Sequence, residues 1–205
     1  MTSRTTPERP ADRWRGDLRA LGLAGFALPL FVASFVWTGF YTSDRIVFAL
    51  PLALIMGATT AAASGVSYRY GDSFSGTMLG TLGAFWLSWG ALQWMTQAGV
   101  VAIGADHEAM LALFFAGWAG VTLLIAIAAR QDMLVDVLIL TGTALTFAGL
   151  ALGYGMARTD WLAAAGWMGL VTVALAAYTV LADLLNYNLR RNVLPVMPLG
   201  HPAIP

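Results

Sequence analysis

Residues 21–41 read LGLAGFALPLFVASFVWTGFY, a stretch with no charged side chain. About twenty such residues are enough for a helix to cross roughly 30 Å of hydrocarbon. The preceding residues 1–20 are polar and hold Pro7, Pro10 and five arginines, Arg4, Arg9, Arg13, Arg15 and Arg19. A secretory leader would follow such a segment with a shorter apolar core and a small-residue cleavage site. The run at 21–41 is therefore read as a membrane span. Residues 1–20 are read as a disordered cytoplasmic arm, its last turn an interfacial helix carrying Trp14.

Outward from this span the same pattern recurs. Hydrophobicity breaks at Ser43-Asp44-Arg45, Arg69-Tyr70-Gly71-Asp72, Asp106-His107-Glu108, Arg130-Gln131-Asp132 and Arg158-Thr159-Asp160. These breaks predict helices at about 21–41, 46–67, 74–99, 109–129, 133–156 and 161–187. They form an all-α membrane domain over 21–189, followed by a cytoplasmic tail at 190–205. The ten-residue alternation of a membrane barrel is absent. Hydrophobic residues make up 59% of the 205 and charged residues 11%, against about 45–50% and 25% in soluble domains. The mean hydropathy is +0.71.

The basic residues, all eleven of them arginine, set the orientation. With the N-terminus in the cytoplasm, the five arm arginines, Arg69, Arg130, Arg190 and Arg191 lie inside. Only Arg45 and Arg158 lie outside. Basic residues favour the cytoplasmic side, so both termini are placed there, in a multi-pass protein of the inner (plasma) membrane.

Small residues mark close helix packing, since lipid provides no hydrophobic force between helices. Gly76 and Gly80, Gly149 and Gly153, and the run from Gly57 to Gly65 form such faces. Ala116-Gly117-Trp118-Ala119-Gly120 and Ala165-Gly166-Trp167-Met168-Gly169 resemble each other and run in the same direction, so they do not form an inverted repeat. Their tryptophans are expected in the outer aromatic belt.

The chain lacks the parts of an enzyme. It has no cysteine and no lysine, and its two histidines, His107 and His201, are not at metal-ligand spacing. No nucleotide-binding loop or nucleophile elbow stands in its required context. No cofactor or metal is expected, and a net charge of zero argues against a nucleic-acid partner. His107 beside Asp106 reads as a solvated loop cluster or a sensor of external pH.

A charge within the bilayer costs at least about 2.5–3.5 kcal/mol at its centre. Asp136 and Asp183 are the acids that fall inside spans, both towards the cytoplasmic face. They are expected to pair with Arg130, Arg190 or Arg191, or, with Asn186, to serve gating or proton coupling. No row of charges crosses the membrane. A central path would be lined by hydroxyls from Ser34, Thr59, Thr60, Ser64, Thr77, Thr81, Ser88, Thr141, Thr143 and Thr146 with apolar groups between. Such a lining suits a neutral solute, or a weak acid that sheds its charge by protonation.

Several segments together resemble the acetate uptake transporter (succinate–acetate permease) family. They are Ala165-Gly-Trp-Met-Gly-Leu170, Tyr178, Asp183-Leu-Leu-Asn186 and Arg191-Asn-Val-Leu-Pro195, with Tyr68-Arg69-Tyr70-Gly71-Asp72-Ser73-Phe74 and Gly83-Ala84-Phe85-Trp86-Leu87. The likeness covers about 21–195. It departs at the start of the first helix, where the family has Asn-Pro-Ala-Pro-Leu-Gly-Leu. Here Asp17-Leu18-Arg19-Ala20-Leu21-Gly22-Leu23 keeps the last three residues alone. A family glutamate in the second helix is Ser67.

The resemblance implies a homohexamer of six-helix subunits, each passing acetate or related short monocarboxylates, with Leu21, Gly22 and Leu23 on the pathway. It places the constriction at Phe26, at Leu82 where the family has Tyr, and at Thr143 where it has Leu, with Leu140 or Leu145 if the register slips. Leu82 and Thr143 would make the ring wider on one side and more polar on the other, admitting acids of three or four carbons. A channel for urea, amides or ammonia, or a non-transporting scaffold, are the alternative functions.

Overall fold

The computed structural model describes residues 15–101, 104–131, 133–191 and 193–196. Most of the expected arm, with Trp14, and His201 of the tail lie outside the described residues. Six long helices account for the fold: α1 Arg15–Trp37, α2 Leu50–Arg69, α3 Ser73–Gln97, α4 His107–Ala128, α5 Leu134–Gly155 and α6 Thr159–Leu189. Hydrocarbon offers the backbone no hydrogen-bond partner, so each crossing segment must satisfy its own N–H and C=O groups as a helix. Among the described residues five helices are long and apolar enough to cross a bilayer, with mean hydropathies of 1.9 to 2.3. The 25-residue α3 is more polar because it carries Ser, Thr, Gln and three Trp.

Two boundaries differ from the sequence reading. α1 starts at Arg15 rather than near 21, which brings Arg19 into the bundle instead of leaving it in the arm. The second span opens with a 3-10 turn, Ser43–Ala49, and becomes α-helical where Pro51 sits at the N-terminus of α2, a position that needs no N–H donor. The tight turn from α2 to α3 uses Gly71 at φ +80, a conformation that disfavours other residues. Asp72 then caps α3 by accepting from Ser75 N–H at 3.1 Å.

The helices pack in the spatial order α3–α2–α1–α6–α5–α4, and α3 touches α4 only lightly. The cytoplasmic ends of α1, α5 and α6 coincide, as an even number of crossings requires. A close backbone approach joins α2 and α3. A Cβ on Gly83 would lie 2.7 Å from the Ala61 nitrogen and 2.8 Å from the Gly57 oxygen. Gly80 abuts the Ser64 hydroxyl and Gly149 abuts Ala165, so the expected small-residue faces do join helices of one chain.

The two Ala-Gly-Trp segments are not equivalent. Gly166 and Gly169 lie against Ser34 and Thr38 of α1, whereas Gly117 and Gly120 face open space. Trp118 stands midway along α4, its ring 5.6 Å from that of Phe85, and is not a member of the outer belt. Trp167 is exposed and meets Phe40 of the outer turn at 6.0 Å.

Because the atoms facing Gly83 are backbone, they cannot step aside. Gly83→Ala should destabilise the bundle by about 1–3 kcal/mol, while Gly117→Ala should be neutral or stabilising by up to about 1 kcal/mol. Thermal unfolding of the two variants in detergent micelles checks the difference.

Candidate functional site

On the outer side, α1, α3, α4, α5 and α6 surround a cavity of about 640 Å³. His107 and Glu108, at the first turn of α4, line it together with Gln93 and Asp160, and Trp37, Trp89 and Tyr154 supply its aromatic wall. His107 therefore belongs to the mouth of a cavity rather than to a plain loop. Arg158 bonds Asp160 beside this mouth, Nε to Oδ1 at 3.1 Å. The carboxylate pushes the guanidinium's pKa up from its ordinary value.

Beneath the cavity the core is a continuous column of rings. Tyr154 stacks on Phe115 at 5.7 Å, and Trp37 meets Phe115 at 6.1 Å and Trp89 at 6.0 Å. Trp89 meets Trp86 at 5.6 Å, and Phe85 meets Trp86 at 4.8 Å and Phe147 at 4.2 Å. Phe26 closes the column 6.3 Å from Trp86, whose indole N–H donates to the Phe26 carbonyl at 3.1 Å. Phe26, Phe85, Trp86 and Phe147 are fully buried. Four helices thus meet through aromatic contacts that occupy the centre and carry no charge.

Sequence reasoning singled out Phe26 but missed Phe85, Trp86, Phe115 and Phe147. They come from three helices, α3, α4 and α5, so no linear spacing links them all. The tilted and edge-on geometries are favourable ones for aromatic pairs. Pro29 lies one turn beyond Gly25 in α1 and cannot donate to its carbonyl, which loosens the helix beside Phe26.

The remaining expected pathway residues divide. Leu82 and Thr143 are buried, about as far along α3 and α5 as Phe26 is along α1. Leu140 is buried as well, but Leu145 is 52% exposed on the outside of the bundle, so a register that uses Leu145 is excluded. Gly22 and Leu23 face inward: Leu23 is fully buried, and the Gly22 carbonyl accepts from the Thr60 hydroxyl at 3.2 Å. Leu21, in contrast, is 49% exposed.

The expected hydroxyls divide: that of Ser34 is buried with no hydrogen-bond partner among the described residues, while most of the others are satisfied. Thr59, Thr60, Thr77, Ser88, Thr143 and Thr146 each donate to a carbonyl in the preceding turn of their own helix. Ser64 donates to the Gly76 carbonyl of α3 at 2.6 Å. Hydroxyls in a helix find this back-bond readily, and in hydrocarbon an unmade bond is costly. Thr143 therefore makes the centre less polar than its side chain suggests.

At the cytoplasmic end the two intramembrane acids share one partner. Arg19 Nη2 donates to Asp136 Oδ1 at 2.6 Å, and Nη1 donates to Asp183 Oδ1 and Oδ2 at 3.2 and 3.1 Å. Arg19 is 8% exposed and Asp136 1%. The expected partners Arg130, Arg190 and Arg191 are exposed. Arg19 replaces them because the early start of α1 points it inward between α5 and α6.

Asn186 lies one turn beyond Asp183 on α6. It clasps the tail, its Nδ2 donating to the Leu194 carbonyl at 2.8 Å and its Oδ1 accepting from the Val193 and Leu194 N–H groups at 2.6 and 3.0 Å. Tyr178 adds a bond to the Pro195 carbonyl at 2.8 Å.

An outer cavity with charged groups at its mouth, an uncharged closed centre and a buried charged triad at the cytoplasmic end mark a multi-pass membrane protein built around a small-solute path. The chain belongs to the GPR1/FUN34/yaaH family, whose model matches residues 2–201. It is 27% identical over 176 residues to the succinate-acetate/proton symporter SatP of Escherichia coli K12, covering 86% of this chain and 92% of that one. It is 26% identical over 193 residues to the glyoxylate pathway regulator of Yarrowia lipolytica, covering 92% of this chain and 70% of the other. Among solved structures, that of the bacterial acetate channel SatP aligns with a TM-score of 0.81 at 25% identity, over 87% of this chain and 97% of that chain.

Removing Arg19 would leave two buried carboxylates without their shared cation. Arg19→Met should therefore destabilise the protein by about 3–5 kcal/mol, and adding Asp136→Asn and Asp183→Asn should recover much of the loss. Chemical unfolding monitored by tryptophan fluorescence checks both steps. Asn186→Ala should instead leave the bundle intact and make residues 190–205 more sensitive to protease, read by limited proteolysis.

Proposed function

We propose that this chain carries acetate and related short monocarboxylates through the centre of its own six-helix bundle. The observation that supports this most directly is the buried, uncharged column of Phe26, Phe85, Trp86 and Phe147 beneath the polar outer cavity. Stripping water from an inorganic ion in such a passage is costly, because nothing there replaces its hydration shell. A small carboxylic acid, or a thinly hydrated carboxylate with an apolar methyl, meets a lower barrier. The relatives named for acetate and succinate share the fold over nearly the whole chain, which favours a carboxylate over urea, amides or ammonia.

In this reading the cavity lined by His107, Gln93 and Tyr154 collects the solute. Phe26 and Leu82 set the narrowest level, with Thr143 and Leu140 on the facing helix. Leucine and threonine are smaller than aromatic residues, so acids of three or four carbons pass as well. Catalysis plays no part, and the protein works in the inner (plasma) membrane.

The open glycine face of α4, with exposed Met110, Leu113, Val121 and Leu124, suits contact with a neighbouring subunit. A closed cyclic assembly follows from such a self-complementary chain, and a homohexamer is the state proposed.

Uptake of labelled acetate and of urea into proteoliposomes tests the reading. Acetate flux should exceed that of empty liposomes and of urea. Phe26→Ala should raise flux several-fold and relax size selection, while Leu82→Trp should block it. Urea flux alone would establish a neutral-solute channel, and no flux of either would leave a scaffold.

A further inference from the structure

Two acids and one base share the buried cluster at the cytoplasmic end, and this imbalance is its informative feature. The Arg19 and Asp183 side chains are each 10% exposed and that of Asp136 is 2% exposed. With both acids ionised the three groups carry a net charge of −1 within the span. Asp72, in the turn from α2 to α3, lies within electrostatic reach of Asp136 and adds a further negative charge. Among the side chains described, Arg19 from α1, Asp136 from α5 and Asp183 from α6 form the cluster, with Asp72 of the turn in electrostatic reach of Asp136. A buried uncompensated charge is expensive, and one bound proton removes it.

We propose that the Arg19–Asp136–Asp183 triad is a proton-binding latch that ties the cytoplasmic end of α1 to α6 when empty and releases it when filled. The proton comes from cytoplasmic water and binds a carboxylate oxygen of Asp183. Asp183 is the more exposed of the two acids. It also sits one turn from Asn186, where the tail is clasped, so water has a short approach.

Asp136, held by a 2.6 Å charge-assisted bond to Arg19 Nη2, keeps its charge, and the protonated triad is neutral. Protonation turns one Asp183 oxygen from acceptor into donor. The two bonds from Arg19 Nη1, at 3.1 and 3.2 Å, cannot both survive that change. The tie between α1 and α5 remains while the tie between α1 and α6 weakens.

The same helix carries Gly22, Leu23 and Phe26 one to two turns above Arg19. A shift at its cytoplasmic end therefore reaches the aromatic column along rigid helix. This role rests on the transport reading, since a latch matters only if something passes; proton binding itself does not.

Infrared titration of the purified protein in lipid reads the proton directly, as the carbonyl stretch of a buried carboxylic acid. That band should appear reversibly between neutral and mildly acidic pH. It should vanish in Asp183→Asn, shift in Asp183→Glu and persist in Asp160→Asn, whose carboxylate is exposed. Acetate exchange between compartments at equal pH reads the latch. The ratio of wild-type to Asp183→Asn exchange cancels the protonated fraction of acetate common to both, and should rise by up to about tenfold per pH unit lowered, the limit for one proton. At neutral pH Asp183→Asn should be the faster of the two after subtraction of the acid leak through empty liposomes.

Absence of an acid band from Asp183 or Asp136 at every pH would overturn the proposal. So would the same pH dependence of exchange in Asp183→Asn and wild type. A titrating band in a protein that exchanges no acetate would instead uphold the proton site and count against transport.

Discussion

Hydrocarbon supplies neither hydrogen-bond donors nor acceptors, and most polar groups in this bundle are arranged around that constraint. The backbone closes on itself in six helices, and most threonine and serine hydroxyls close on the carbonyls of their own preceding turns. Charges that cannot close on themselves are gathered at one place, where Arg19 meets Asp136 and Asp183. Each solution removes polarity from the centre, which leaves aromatic and aliphatic groups to fill it. The apolar column is thus a consequence of how the bundle is satisfied, and the proposed path runs through it.

Arg19 shows how one residue links these levels. Its position four residues into α1 is what turns a polar N-terminal segment into the end of a membrane helix. Its guanidinium then joins three helices that are far apart in sequence, separated by 117 and 164 positions. The planar fork reaches two carboxylates at once, which a lysine could not do with the same geometry. Loss of this pair of contacts would detach α1 from the half of the bundle formed by α5 and α6, and Phe26 with it.

The helices were legible in the sequence because a membrane span is long, apolar and bounded by charge. Family membership was legible too, in the segments around Tyr68–Leu87 and Ala165–Pro195. The site was less so. Periodicity does not show that Phe85 of α3 and Phe147 of α5 lie ring to ring, and no spacing rule pairs Arg19 with Asp183. The arginine looked like part of a polar arm because Asp17 and Arg15 beside it are polar in sequence, and its own burial is what the sequence does not record. Hydroxyl counts overstated the polarity of the centre for a similar reason: composition records a group but not whether its own helix already satisfies it. The partner of Asn186 was not legible because a polar residue near a helix end has two to choose between, the bundle and the tail.

The account stands or falls on whether solute passes through the centre of a single bundle. The chain has no cysteine, so one introduced at Leu82 is the sole reactive thiol. Modification of Leu82→Cys by a small neutral thiosulfonate should abolish acetate flux, and acetate should slow that modification. The same reagent at Ile55→Cys, exposed on the outside of α2, should do neither. A thiol at position 82 that is never modified, or whose modification leaves acetate flux unchanged, would contradict a central path.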